Sequence, residues 1–322
     1  MLAHRVSAGL SRGFPLESGV TSARANRRGM FALMGAMACF AINDMVLKLT
    51  AQRYPLGEVI TVRGAIATLL VGAFLISLGH LSALRRVVSP IVIGRTMLDG
   101  IAMVLFTTAL IHMPLAELSA INLVSPLIIT AAAVVFFAEK VGWRRWIAVF
   151  VGFLGTLLII RPTPGAFNAW ALLGVATAFA GVARDLITRL LDPRIPSVMI
   201  SFMAALASML IGPIMGLFEQ WQPMALFDVG MLAISATFVA SGHFFVVVAF
   251  RGNVDVAAIA PFRYTLLIFA GVCGYLAFGE VPDRTAIFGS LLIVGSGLYA
   301  LHREVVRRRT VAASVPPAEP GA

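Results

Sequence analysis

The chain repeats itself without a gap. Asp44-x3-Lys48-Leu49-x3-Arg53-x-Pro55 recurs as Asp185-x3-Arg189-Leu190-x3-Arg194-x-Pro196, and Glu139 recurs as Glu280. Each pair is separated by the same 141 positions (185 − 44, 280 − 139). Any fold for this chain must therefore accommodate one unit twice.

Each copy is built to sit in lipid. Hydrophobic residues make up 59% of the chain and charged ones 12%, with a mean hydropathy of +0.93, whereas a soluble domain carries roughly 25% charged residues. Apolar runs recur from Gly29 to about His302, each near the ~20 residues needed to cross a hydrocarbon core. The runs predict spans at 29–50, 56–79, 90–111, 114–138, 143–160, 168–191, 196–217, 226–250, 254–278 and 284–302, punctuated by Tyr54-Pro55, Arg85-Arg86, Met113-Pro114, Arg161-Pro162-Thr163-Pro164, Asp192-Pro193 and Val281-Pro282. The expected fold is all-α: a polytopic membrane protein with ten transmembrane helices as two inverted five-helix repeats. The first unit is expected over 29–161 and the second over 168–303, with cytosolic tails at 1–28 and 304–322.

Charge placement predicts orientation, because cytoplasmic loops keep Lys and Arg. With the N-terminus inside, Lys48, Arg53, Arg161 and Arg284 fall outside, Arg63 and Arg263 lie within spans, and the other Lys and Arg are assigned to the cytoplasmic side. Both termini are thus expected in the cytoplasm of a multi-pass protein of the cell inner membrane. An odd number of spans per unit turns the second copy upside down relative to the first. The net charge of +10 is read as this topology signal, so no nucleic-acid partner is expected. The first 28 residues lack a cleavable apolar h-region and are read as a tail. The chain beyond Thr310, with Pro316-Pro317 and Pro320, is expected to be disordered. Cys39 and Cys273 fall inside spans with no metal-ligand spacing, so neither a metal nor another cofactor is expected.

Inverted repeats suit alternating access, in which two similar halves exchange conformations around a central site. No phosphate-binding GxxxxGK[ST] loop is present to drive a pump. The chain resembles the drug/metabolite transporter superfamily, in its ten-helix members with two EamA-type repeats. The resemblance rests on the paired Asp-x3-[Lys/Arg], on Arg63, on Pro126 followed by Glu139 in "PLIITAAAVVFFAE", and on Gly155. The stretch "APFRYTLLIFAGVCGYLAFGEVPDRTAIFGSLLIVGSGLY" is similar to a bacterial subgroup that includes riboflavin and S-adenosylmethionine transporters. The resemblance implies a secondary carrier of a small organic molecule. One departure stands out: Pro126 maps onto Leu267, and the second unit has Pro261 instead, which predicts a bend at a different depth in the ninth helix.

Polar groups inside spans are the candidates for substrate contact, since an ionised group at mid-helix costs about 2.5–3.5 kcal/mol on insertion scales and so faces the protein interior. Arg263, two residues after Pro261, heads the set, followed by Tyr264. Asn122 is the repeat counterpart of Arg263 and is expected to approach a shared cavity from the other side. Arg63 has only Ala204 as its counterpart. Asn43 and His243 complete the substrate candidates. Asp44 with Lys48, Asp185 with Arg189 and Asp99 with Arg95 read as i, i+4 ion pairs; the alternative is that a buried carboxylate takes up a proton and makes protons the coupling ion. Glu139 and Glu280 are expected to cap or brace loops. Gly152 and Gly155, with the glycines of the last span, are expected to form close-packing faces within the chain or in a homodimer.

An intramembrane enzyme is the competing class. Within the spans it finds no HExxH, GxSxG or paired aspartates at fixed helical positions, so no catalytic residue is assigned. A channel is disfavoured by the absence of like-charged rings. Within the carrier class, riboflavin uptake is the first expectation, with S-adenosylmethionine uptake or export of amino acids and metabolites as alternatives.

Overall fold

A computed structural model describes residues 23–79, 89–125, 127–128, 131–132, 143–160, 168–188, 191–192, 194–250 and 259–313. Ten α-helices span these residues: α1 (Ala23–Ala51), α2 (Leu56–Ser77), α3 (Pro90–His112), α4 (Leu115–Asn122), α5 (Trp143–Ile160), α6 (Ala169–Thr188), α7 (Ser197–Met215), α8 (Leu226–Phe250), α9 (Thr265–Phe278) and α10 (Arg284–Ala313). Eight of them lie within helical stretches long and apolar enough to cross a bilayer. The protein is a polytopic, all-helical membrane protein.

Helix starts follow local chemistry. Pro55, Pro114 and Pro196 stand immediately before α2, α4 and α7 in extended backbone, where a residue without an N–H costs nothing. Ser89 precedes α3 and its hydroxyl accepts from the Val92 N–H. At its C-terminus α9 ends on Gly279 in the left-handed conformation (φ 65°), which a residue with a Cβ adopts only under strain.

Two ends differ from expectation. α1 begins at Ala23, before the apolar run, and α10 continues to Ala313 through the basic stretch Arg303–Arg309, part of the segment expected to be a tail. Apolarity marks where a helix meets lipid and says nothing about where it stops.

The units interleave. α2 packs on α7, α5 on α10 and α4 on α9, while α1 packs on α8 and α9 as α6 packs on α3 and α4. Exchanging equivalent helices between the units reproduces this list. Small residues set the closest approaches. A Cβ on Gly155 would lie 2.6 Å from the Gly289 carbonyl oxygen, and one on Gly289 would lie 2.6 Å from that of Gly155, so α5 and α10 touch backbone to backbone. Gly57 meets Gly216 in the same way where α2 crosses the end of α7.

The outer surface is apolar. Leu69, Phe74, Phe150, Phe153, Ile268 and Leu276 are exposed on it, as lipid contact requires. All four tryptophans lie at or just beyond helix ends: Trp143 and Trp146 on α5, Trp170 on α6 and Trp221 after α7. Indole rings favour that depth at a membrane interface.

Candidate functional site

The fourth and ninth segments both depart from regular α-helix, at overlapping places. α4 gives way to a turn at Leu123–Val124, and a 3-10 turn over Ala260–Tyr264 precedes α9. Tyr264 and Thr265 are the repeat counterparts of Leu123 and Val124. Ala260–Arg263 correspond to Ser119–Asn122 within α4, so the irregular turn of the second unit begins earlier, at its displaced Pro261. In the first unit the Ser125 hydroxyl donates to the Asn122 carbonyl at 2.6 Å, an acceptor to which a proline at position 126 has no N–H to offer.

Ties between the units close the face where α1 ends and α2 begins. The Lys48 ammonium donates to Glu280 and to the Met113 carbonyl (2.8 Å), and Glu280 also accepts the Leu115 N–H (2.8 Å), capping α4. Alongside, Asp228 accepts from Arg53 and the Tyr54 hydroxyl, each at 3.0 Å. Glu219 accepts the Gly57 N–H (2.9 Å) and Glu58 the Gln222 N–H (3.0 Å). Lys48 therefore departs from the expected pairing with Asp44, which instead accepts from the Asn43 amide at 2.9 Å. The expected Asp185–Arg189 pair and Glu139 involve residues outside those described.

Away from that face a cavity of about 560 Å³ opens among α2, α3, α6, α7 and α8, within the ~300–1,000 Å³ typical of small-molecule sites. Both units contribute walls. Arg63 comes from α2, Arg95, Asp99 and Phe106 from α3, Thr177, Arg184, Asp185 and Thr188 from α6, Ser201 and Ser208 from α7, and His243 from α8. Asp99 accepts from Arg184 at 2.8 Å and from Arg95, one helical turn away, at 3.4 Å. Arg184 also donates to Asp185 at 2.9 Å, whose side chain is half exposed. The His243 Nδ1 lies 2.7 Å from the Val239 carbonyl; because a carbonyl only accepts, that nitrogen carries the proton and Nε2 is left as an acceptor.

At the other end, Arg63 Nη1 donates to the Asn43 side-chain oxygen at 3.3 Å, and the Ser235 hydroxyl donates to the same oxygen at 2.7 Å. Asn43 is buried, so it holds the guanidinium from behind.

Of the residues singled out from sequence, Arg63, Asp99, Asp185 and His243 line this cavity, and Asn43 backs it. Arg263 is exposed and stands elsewhere on the interrupted ninth segment. Tyr264 is buried against Gly297. Asn122 is partly buried and donates to the Leu118 carbonyl at 3.1 Å. Arg95 and Arg184 are cavity residues that charge counting assigns to the cytoplasmic flank. Their link to one carboxylate, Asp99, spans 85 residues in the case of Arg184; the usable signal is an acid and a base one turn inside their spans.

Residues 27–161 match the EamA-like transporter family. The match covers the first unit and less than half of the chain. Over most of its length the chain is 24% identical to an S-adenosylmethionine uptake transporter of Rickettsia prowazekii, covering 82% of this chain and 89% of the relative. It is 27% identical to a riboflavin transporter of Vibrio cholerae, covering 88% and 95%. A pseudopaline exporter of Pseudomonas aeruginosa is 26% identical over 83% and 94%. A solved crystal structure shares this fold at a TM-score of 0.57 and 17% identity, covering 86% of this chain and 98% of the other. The relatives share a transport role and differ in cargo. The matched family model and these relatives are all of transporters, which favours the carrier over the enzyme.

Proposed function

We propose that this EamA-like protein is a secondary transporter that moves a small organic metabolite by alternating access. The observation that carries the reading is the cavity built by helices of both units, set away from a face where the units are tied together by Lys48–Glu280 and Asp228. A site shared by two interleaved units changes shape when they move against each other. The units correspond to 29–161 and 168–303 and have inverted orientations. The protein sits in the cell inner membrane with both termini in the cytoplasm, so the tied face is external and the cavity belongs to an inward-directed state. Protons are the proposed coupling ion.

Riboflavin and S-adenosylmethionine are two of the cargoes that the relatives bring forward, beside exported pseudopaline. The ionic lining supports the second, a zwitterion bearing an extra cation, because Arg63, Arg95, Asp99, Arg184 and Asp185 all border the space. Phe106 is the aromatic hydrocarbon ring on that wall, little for a flavin to stack on. The test is uptake of labelled S-adenosylmethionine and labelled riboflavin, side by side, by cells expressing the chain, with and without a protonophore. Accumulation of either compound above an empty-vector control, lost with the protonophore, is the expected result. No accumulation of either by membrane-inserted protein would overturn both cargo assignments. Accumulation insensitive to the protonophore would remove proton coupling alone.

A further inference from the structure

The cavity holds three arginines and they are not equally satisfied. Arg95 and Arg184 each reach Asp99, and Arg184 also reaches Asp185. Arg63 meets only the neutral oxygen of Asn43, through Nη1, and its buried Nε has no hydrogen-bond partner among the described residues. Asp44 acts on Arg63 through space without a hydrogen bond to it, and its carboxylate accepts from the Asn43 amide instead. This leaves free the Nε–Nη2 edge of the guanidinium, the edge that grips a carboxylate through two parallel bonds.

A cation in a protein interior is costly until an anion compensates it. The repeat sharpens the point. Ala204, the counterpart of Arg63, lines the same cavity, so at equivalent positions one unit presents a guanidinium and the other a methyl group. The charge is thus a local addition to the symmetric frame, and Ser235 on α8 fixes its bracket across the unit boundary.

From this unpaired edge beside the cavity we propose that Arg63 is the anchor for a carboxylate on the transported molecule and so selects carboxylate-bearing cargo. Asn43 and Ser235 act as positioning residues that hold the guanidinium for that contact. The half-exposed carboxylate of Asp185 faces the same cavity and suits a positive group on the same molecule. This inference rests on the transport reading above.

The test compares two competitors that differ only in the carboxylate: unlabelled S-adenosylmethionine and its decarboxylated form, each against uptake of labelled S-adenosylmethionine by proteoliposomes of the full chain. For the wild type, the decarboxylated compound is expected to compete about tenfold less well or worse, the factor a single charge-assisted contact supplies. In Arg63→Gln that ratio should fall to about one. Arg63→Lys keeps the charge without the planar fork and should retain an intermediate ratio; it also serves if the glutamine variant does not insert. A well-inserted Arg63→Gln that keeps the wild-type ratio would overturn the inference and leave the transport reading standing, as would wild-type uptake of riboflavin but not of S-adenosylmethionine. Uptake of neither compound would overturn the cargo reading and this inference with it.

Discussion

Lys48 shows what a single residue contributes when its partner is distant in sequence. Its ammonium is almost completely buried and is shared between Glu280 and the Met113 carbonyl, while Glu280 is also needed by the Leu115 N–H. Removing the acid orphans a buried cation and uncaps α4; removing the lysine leaves a carboxylate that still has an N–H to accept. Glu280→Ala is therefore expected to lower stability by about 3 kcal/mol or more, and Lys48→Met by clearly less. The double variant should lose less than the sum of the two single losses, since the orphan cation is gone. Thermal unfolding of purified protein in detergent, read by intrinsic fluorescence, checks the order; equal losses for both single variants would contradict it. Sequence reading placed Lys48 beside Asp44 because i, i+4 spacing is the partnership a linear pattern displays. A partner 232 positions away is invisible to that rule. Arg263 was overweighted for a related reason: depth in a span says that a charge must be accommodated, and the packing of five helices decides where.

Helices were the most legible level. Apolar length and prolines located all ten segments, because lipid imposes length and proline imposes boundaries. The course within each segment was legible only in part. The irregular turns at Leu123–Val124 and Ala260–Tyr264 coincide only at the equivalent pair Leu123 and Tyr264, and the second begins earlier, at Pro261, so the local proline shifts the break. Close packing is testable at the same scale. Gly155→Leu should separate α5 from α10 and cost about 1–3 kcal/mol or more, whereas Gly271→Ala, where an added Cβ meets nothing within 4 Å, should be indistinguishable from wild type. Size-exclusion profiles of detergent extracts after graded heating would show the difference, and a Gly155→Leu variant as robust as Gly271→Ala would refute the backbone contact as a stabilising feature.

For the whole molecule, the proposed orientation makes a prediction with opposite outcomes at two surfaces. In a background lacking Cys39 and Cys273, a cysteine replacing exposed Gln222 should react with a membrane-impermeant maleimide in spheroplasts with an intact inner membrane. One replacing exposed His302 should react only after that membrane is permeabilised. The reverse pattern would invert the topology and make the cavity face outward.

The ties on the closed face carry a further consequence. Glu58, Glu219 and Asp228 correspond in the other unit to Met199, Leu78 and Val87, none of which carries a charge, whereas Lys48 and Glu280 correspond to Arg189 and Glu139. A frame with near-twofold symmetry thus carries unequal latches. Unequal latches set the side on which an empty carrier waits, and hence how often each compartment finds the door open. They add nothing to the driving force, so the direction of net flow remains a property of the gradients, and the latches tune only its tempo.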